Sequence, residues 1–171
     1  MSIKFVTNQQ LYEEVIRPVS KAKSSVWIGT ADIKDMHVHG RRSVVPFLST
    51  LNQLAEQNVA IRLIHAREPG PNFRSSFDKN LSLIKNIERR MCPRVHFKHI
   101  IIDGKFAYSG SANLTGAGLG IKSENRRNFE AGFITTDSRL VKAIRAQYKA
   151  VWHGEFCEQC KRKEFCKDPI L

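Results

Sequence analysis

Arg94-Val95-His96-Phe97-Lys98-His99-Ile100-Ile101-Ile102-Asp103-Gly104 is the stretch that decides the reading of this 171-residue chain. Its Val, Phe and Ile content, bounded by Pro93 and Gly104, predicts a buried strand over residues 94–103. Side chains on a strand alternate faces. His96, Lys98, Ile100 and Ile102 therefore share one face, and Phe97, His99, Ile101 and Asp103 the other. Asp103-Gly104 signals a tight turn, after which residues 105–108 resume as a hairpin partner. Gly110-Ser111-Ala112-Asn113 follows, with Ser111 and Asn113 again two apart and on a common side. His96, Lys98, Ser111 and Asn113 are expected to converge at one end of the hairpin. Asp103, on the other face, is assigned a structural role in fixing the turn.

These residue types suit attack on a phosphodiester. The anionic oxygens repel nucleophiles, so positive charge and directed donors must stand where charge builds up. Lys98 is a compact cation, and the Ser111 hydroxyl and Asn113 amide are donors that need no ionisation. The neutral imidazole of His96 can attack phosphorus and form a covalent intermediate that water later resolves. A second acid must protonate the leaving oxygen, and histidine suits that task near neutral pH. H-x-K occurs once in the chain, so a monomer is one histidine short.

The pattern H-x-K-x4-D at His96, Lys98 and Asp103, with G-S-x-N at Gly110, Ser111 and Asn113, resembles the phospholipase D superfamily. The similarity extends to an early strand, helices alternating with strands, the motif hairpin, a further strand and a long last helix. The resemblance implies a phosphodiesterase that needs no metal at the phosphate. Single-copy members form dimers, which implies that His96 of one subunit is the nucleophile and His96 of the other the general acid. It also implies that Glu130, in Asn128-Phe129-Glu130-Ala131-Gly132, is the acidic residue that orients the histidine. The chain is closer to the small nucleases than to members with an N-terminal membrane segment, because residues 1–14 are polar.

Composition sets the wider limits. The length fits one catalytic domain over residues 1–153 with a cysteine-rich tail over residues 154–171. Lys and Arg number 28 against 16 Asp and Glu, for a formal net charge of +12. Such an excess favours polyanions, either nucleic acid or an anionic membrane surface. A basic face that merely keeps the protein solvated is the plainer alternative. No signal-peptide core and no apolar run of about 18 residues is visible, so a cytoplasmic protein is expected.

The remaining segments read as one α/β unit. Helices are expected over residues 8–22, with Pro18 kinking or ending the first, and over 42–58, 77–90 and 138–153. Strands are expected over residues 24–30 and 59–65, and residues 67–74, with Pro69, Gly70 and Pro71, read as a loop. The fold class is therefore α/β, a mixed central sheet flanked by helices on both faces. Substrate contacts are sought at the end of the first core strand, where Asp32, Lys34, His37, His39, Arg41 and Arg42 stand. His37 and His39 read as exposed residues rather than metal ligands. Gly116, Gly118 and Gly120 precede Lys122, Arg126 and Arg127, a flexible basic loop suited to phosphate. Arg67, Arg74 and Lys79 beside Phe73 and Phe77 combine charge with base stacking, unless the phenylalanines belong to the core.

The tail carries H-x3-C-x2-C-x5-C at His153, Cys157, Cys160 and Cys166, a ligand set for structural zinc, with Cys92 able to replace His153. Thiols in a reducing cytosol, disulfides in one of three full pairings, or an iron–sulfur cluster are the alternatives. Three functions follow: an endonuclease working as a homodimer, a phospholipase D-type lipid phosphodiesterase, or a non-catalytic nucleic-acid-binding module.

Overall fold

The computed structural model describes residues 2–34, 36–39, 43–78 and 81–166. Nine strands appear among them: β1 Ile3–Thr7, β2 Ser25–Thr30, β3 His37–His39, β4 Val44–Pro46, β5 Ala60–His65, β6 Ile87–Met91, β7 Lys98–Ile102, β8 Phe106–Gly110 and β9 Ala131–Thr135. Seven form one mixed sheet in the order β1-β9-β8-β7-β2-β5-β6. β2, β5 and β6 run parallel, and the rest pair antiparallel. β3 and β4 make a separate two-stranded ribbon.

Strand alternation divides the core into two layers. Ile100 and Ile102 of β7 join Val26, Ile28, Ile61, Leu63 and Tyr108 beneath the first helical segment and helices α1 (Phe47–Glu56), α2 (Pro71–Asp78) and α3 (Leu81–Asn86). Ile101 joins Trp27, Ile64 and Ala107 on the opposite face, beneath helix α4 (Ser138–Trp152). Asp137 caps α4, accepting at Oδ1 from the Arg139 N–H at 2.8 Å and the Leu140 N–H at 3.3 Å. Its helix then buries Val141, Ile144, Tyr148 and Trp152, each worth roughly 2 kcal/mol of apolar transfer. Helices thus cover both faces of the sheet.

Several element boundaries differ from those expected. The first helix is a π-helical turn at Tyr12–Ile16 passing into a 3-10 helix at Arg17–Lys21, with Pro18 in that first 3-10 turn. The second starts only at Phe47, because residues 44–46 pair with β3 as an extended segment and Pro46 is its N-cap. The loop expected up to residue 74 ends at Gly70, and Pro71 opens α2. The helix expected to run to residue 90 stops at Asn86, and Ile87–Met91 forms the sheet's edge beside β5. In α3, Leu83 is buried and Ile84 is exposed. The motif strand is regular only from Lys98, with residues 94–97 leading into it. Residues 1–14, read as merely polar, contain β1. Among the described residues no helix is long and apolar enough to cross a membrane.

Candidate active site

The antiparallel pairing of β7 with β2 and β8 sets the start of β7 beside the ends of both neighbours. His96 stands exposed just before β7, and Lys98 opens the strand with only 8% exposure. Lys98 Nζ donates to the His96 carbonyl at 2.8 Å. It lies 3.4 Å from His96 Nδ1 and 3.5 Å from Nε2, so the ammonium faces the ring rather than one nitrogen. Burial pushes the Lys98 pKa down, and the Glu130 carboxylate works against that shift. The strand pair that carries them is closely fitted: a Cβ at Gly29 of β2 would stand 2.2 Å from the Phe97 ring. Only glycine lets that ring lie against the neighbouring strand.

Lys98 pairs with Gly110, which brings the next residue, Ser111, to the same end. The Ser111 hydroxyl donates to Glu130 Oε2 and accepts from the Ala131 N–H at 3.1 Å. Glu130 Oε1 accepts from Asn128 Nδ2 at 3.0 Å. Asn8, at φ +48°, fixes the Glu130 backbone from both sides: its Oδ1 accepts from the Glu130 N–H and its own N–H donates to the Glu130 carbonyl, each at 3.1 Å. Within the chain the Glu130 carboxylate thus holds Ser111. Asn113 Oδ1 accepts from the Ala31 and Asp32 N–H groups at 3.2 and 3.1 Å. Its Nδ2 makes no hydrogen bond among the described residues and is left as a donor. Thr30, at the end of β2, accepts from the Leu114 N–H at 3.0 Å and donates to the Asp32 carbonyl at 2.6 Å. Thr30 and Asn8 were not foreseen from the sequence. The place of Thr30 at the carboxyl end of a core strand was the available signal.

The other parity group is structural. His99 is buried, stacks on Phe97 at 4.7 Å and shares a 3.0 Å Nε2 hydrogen bond with Gln147 of α4. Burial lowers its pKa. Asp103 stands at the far end of β7 from His96, roughly 20 Å along the extended chain. Its carboxylate accepts from the N–H groups of Lys23, Ser24 and Ser25 at 2.7–3.0 Å and from the Ser24 hydroxyl at 3.0 Å. Partial burial pushes its pKa up, but these bonds outweigh it and the net shift is downward. Asp103 and Gly104 have φ of +54° and +62°, the backbone of the predicted turn.

A family model described as cardiolipin synthase, PLD-like domain, matches residues 15–152. The chain belongs to the phospholipase D superfamily. Among solved structures this phospholipase D-like chain resembles Nuc, a phospholipase D family member from Salmonella typhimurium. The two are 16% identical over 88% of this chain and 93% of Nuc, with a TM-score of 0.66. NucT from Helicobacter pylori is also 16% identical, over 86% of this chain and 94% of NucT, with a TM-score of 0.63. The archaeal chromatin protein TrmBL2 is 11% identical, over 89% of this chain and 52% of TrmBL2, with a TM-score of 0.59. Among curated proteins no sequence match is found. The shared architecture is the phospholipase D-like fold.

On this phospholipase D-like frame the expected rim residues separate. Residues 31–34 bridge to the loop after Asn113 through Ile33 and Leu114, and the Lys34 N–H donates to the Leu114 carbonyl at 2.9 Å. Lys122 and Arg126 are exposed, and Arg127 Nη1 donates to Gln9 Oε1 at 3.2 Å. Arg41, Arg42 and Lys79 lie outside the described residues. Phe73 and Phe77 are buried and stack on each other at 5.4 Å, so they are core and not a base-stacking platform. The Cys3His set is not assembled: among the described residues no three His, Cys, Asp or Glu side chains stand within reach of one metal ion. His153 is exposed at the end of α4, whereas Cys157, Cys160 and Cys166 turn toward Cys92 around one cavity.

Proposed function

We propose that the chain is a metal-independent endonuclease, hydrolysing nucleic-acid phosphodiester bonds through a phosphohistidine and working as a homodimer. One observation carries this reading. A single His96–Lys98 contact stands at an open strand end beside the Ser111–Glu130 pair and Asn113, in a chain that has no second H-x-K. Lys98 and the Asn113 amide would hold the non-bridging oxygens, and Glu130 would fix Ser111 to assist them. The His96 ring nitrogen attacks phosphorus while the bond to the leaving nucleoside oxygen breaks. Protonated His96 of the partner subunit gives that oxygen its proton. The same partner histidine, now neutral, takes a proton from water as the water displaces the phosphorus–nitrogen bond. A phosphate monoester and an alcohol leave, and both histidines return to their starting states.

The net charge of +12 favours a polyanion, and nucleic acid presents phosphates in a row. The likeness to Nuc and NucT, and to TrmBL2, whose structure shows a novel mode of DNA binding, supports the same reading. A lipid phosphodiesterase is the second reading, favoured by the family description, cardiolipin synthase.

The test presents single-stranded and duplex DNA, RNA and phospholipid vesicles to wild type and His96→Ala in excess EDTA. Nucleic-acid cleavage that survives EDTA and vanishes in the variant is expected. Cleavage persisting in His96→Ala removes the nucleophile, and lipid hydrolysis without nucleic-acid cleavage replaces this reading with the second. Nucleic-acid binding with no turnover of any substrate makes the chain a non-catalytic module.

A further inference from the structure

We infer that Cys92, Cys157, Cys160 and Cys166 form a tetrathiolate zinc site, with Cys92 rather than His153 as the fourth ligand. These are the chain's four cysteines, and all of them line one cavity of about 260 Å³. The cavity lies between the turn after β6, the last turns of α4 and the tail. Cys92 is held from the sheet side, its N–H donating to the His65 carbonyl at 2.9 Å. Cys166 arrives from the tail with its sulfur 3.9 Å from the carbonyl of Met91, the residue before Cys92. The Arg94 guanidinium reaches the Cys160 sulfur, and its Nη1 lies 3.5 Å from the Phe156 carbonyl. Two segments distant in sequence thus line one cavity with all four thiols. His153 is absent from the cavity wall.

The chemistry of the wall fits a soft divalent ion. Thiolates select zinc over the hard cations that prefer oxygen. Four thiolates on one Zn2+ leave two net negative charges, and Arg94, Arg162 and Lys163 in the same wall oppose them. Phe97, Val151 and Phe156 supply an apolar lining beside the thiols. Tetrahedral ligation at about 2.3 Å sets sulfurs roughly 3.8 Å apart, so the tail must draw in toward Cys92. The N–H groups of Cys157, Cys160 and Cys166 donate within the tail, to the carbonyls of Gly154, Cys157 and Lys163. Each thiol gives its proton to solvent as it binds, so occupancy falls with acid. A closed set of four protein ligands leaves no position for substrate, which makes the ion structural.

The test does not depend on nuclease activity. The full chain is purified under reducing conditions, its metal content is measured, and zinc is exchanged for cobalt. One zinc per chain is expected, with a cobalt spectrum of four-sulfur tetrahedral ligation. Cys92→Ser should lose the stoichiometric metal and His153→Ala should keep it. If Cys92→Ser does not fold, alkylation of the wild type decides: Cys92 should be protected in the zinc form and modified after chelation. Metal lost in His153→Ala but kept in Cys92→Ser overturns the assignment. A chain with no metal, with disulfides in place of thiols, or with iron and acid-labile sulfide overturns it equally.

Discussion

Lys98 presents its ammonium to both ring nitrogens of His96, and in the proposed mechanism the two side chains would act on a phosphate as one unit. Their removal should nevertheless differ in size. His96→Ala deletes the nucleophile and should lower kcat by about 10⁴ or more. Lys98→Ala removes charge stabilisation and should cost about 10²–10³ in kcat. Initial rates on a nucleic-acid substrate, with circular dichroism confirming the fold, check both values. Asp103 predicts the opposite signature. Asp103→Ala frees three backbone N–H groups at the start of β2 and should cost about 2 kcal/mol of stability, with kcat largely kept. Its folded pKa lies below the ordinary 3.8, so the stability it adds is full above that value and fades as pH falls through the folded one. Urea unfolding across that acid range should show the wild-type advantage over Asp103→Ala shrinking. An advantage that is independent of pH would contradict the role.

At the scale of elements, β7 sorts the candidate catalytic residues from those that pack under α4 by alternation. Lys98 heads the face of Ile100 and Ile102, while Phe97 and His99 pack toward α4. Gly29 makes this possible by leaving room for Phe97. Gly29→Ala should displace that ring and, with it, the His96 and Lys98 that flank it in sequence. Activity should therefore fall by about tenfold or more, since misplacement of about 1 Å can cost a hundredfold, while the melting temperature drops only modestly. A variant with unchanged kcat would show that the ring does not position the pair. The motif hairpin was legible in the sequence because period-2 burial and the Asp103-Gly104 turn are local signals. Glu130 was located but its contact was not, since a bond to Ser111 depends on the pairing of β8 with β9. Ile87-Glu88-Arg89-Arg90-Met91 misled because its apolar ends also suit a helix. Pairing with β5 overrides that local preference, and the charges sit on an edge strand, where they deter further pairing. Pro71 was read as a loop residue, yet proline is equally at home at the first position of a helix.

For the whole molecule, charge and stoichiometry matter most. With a net charge of +12, binding to single strands should weaken with salt at a logarithmic slope of about −0.7 for each phosphate contacted. Lys122→Ala or Arg126→Ala, both exposed on the rim loop, should each remove one contact and make that slope shallower by about 0.7. An unchanged slope in both would place the nucleic acid elsewhere. The central claim is that each chain holds half a site, because its single H-x-K supplies one of two required histidines. The most direct measurement is the activity of a purified heterodimer joining one wild-type chain to one His96→Ala chain, carrying different affinity tags. A shared two-histidine site predicts that this heterodimer is as inactive as the His96→Ala homodimer. Activity near half that of the wild-type dimer, or full activity from a monomer, would show that each chain carries a complete site and would contradict the account.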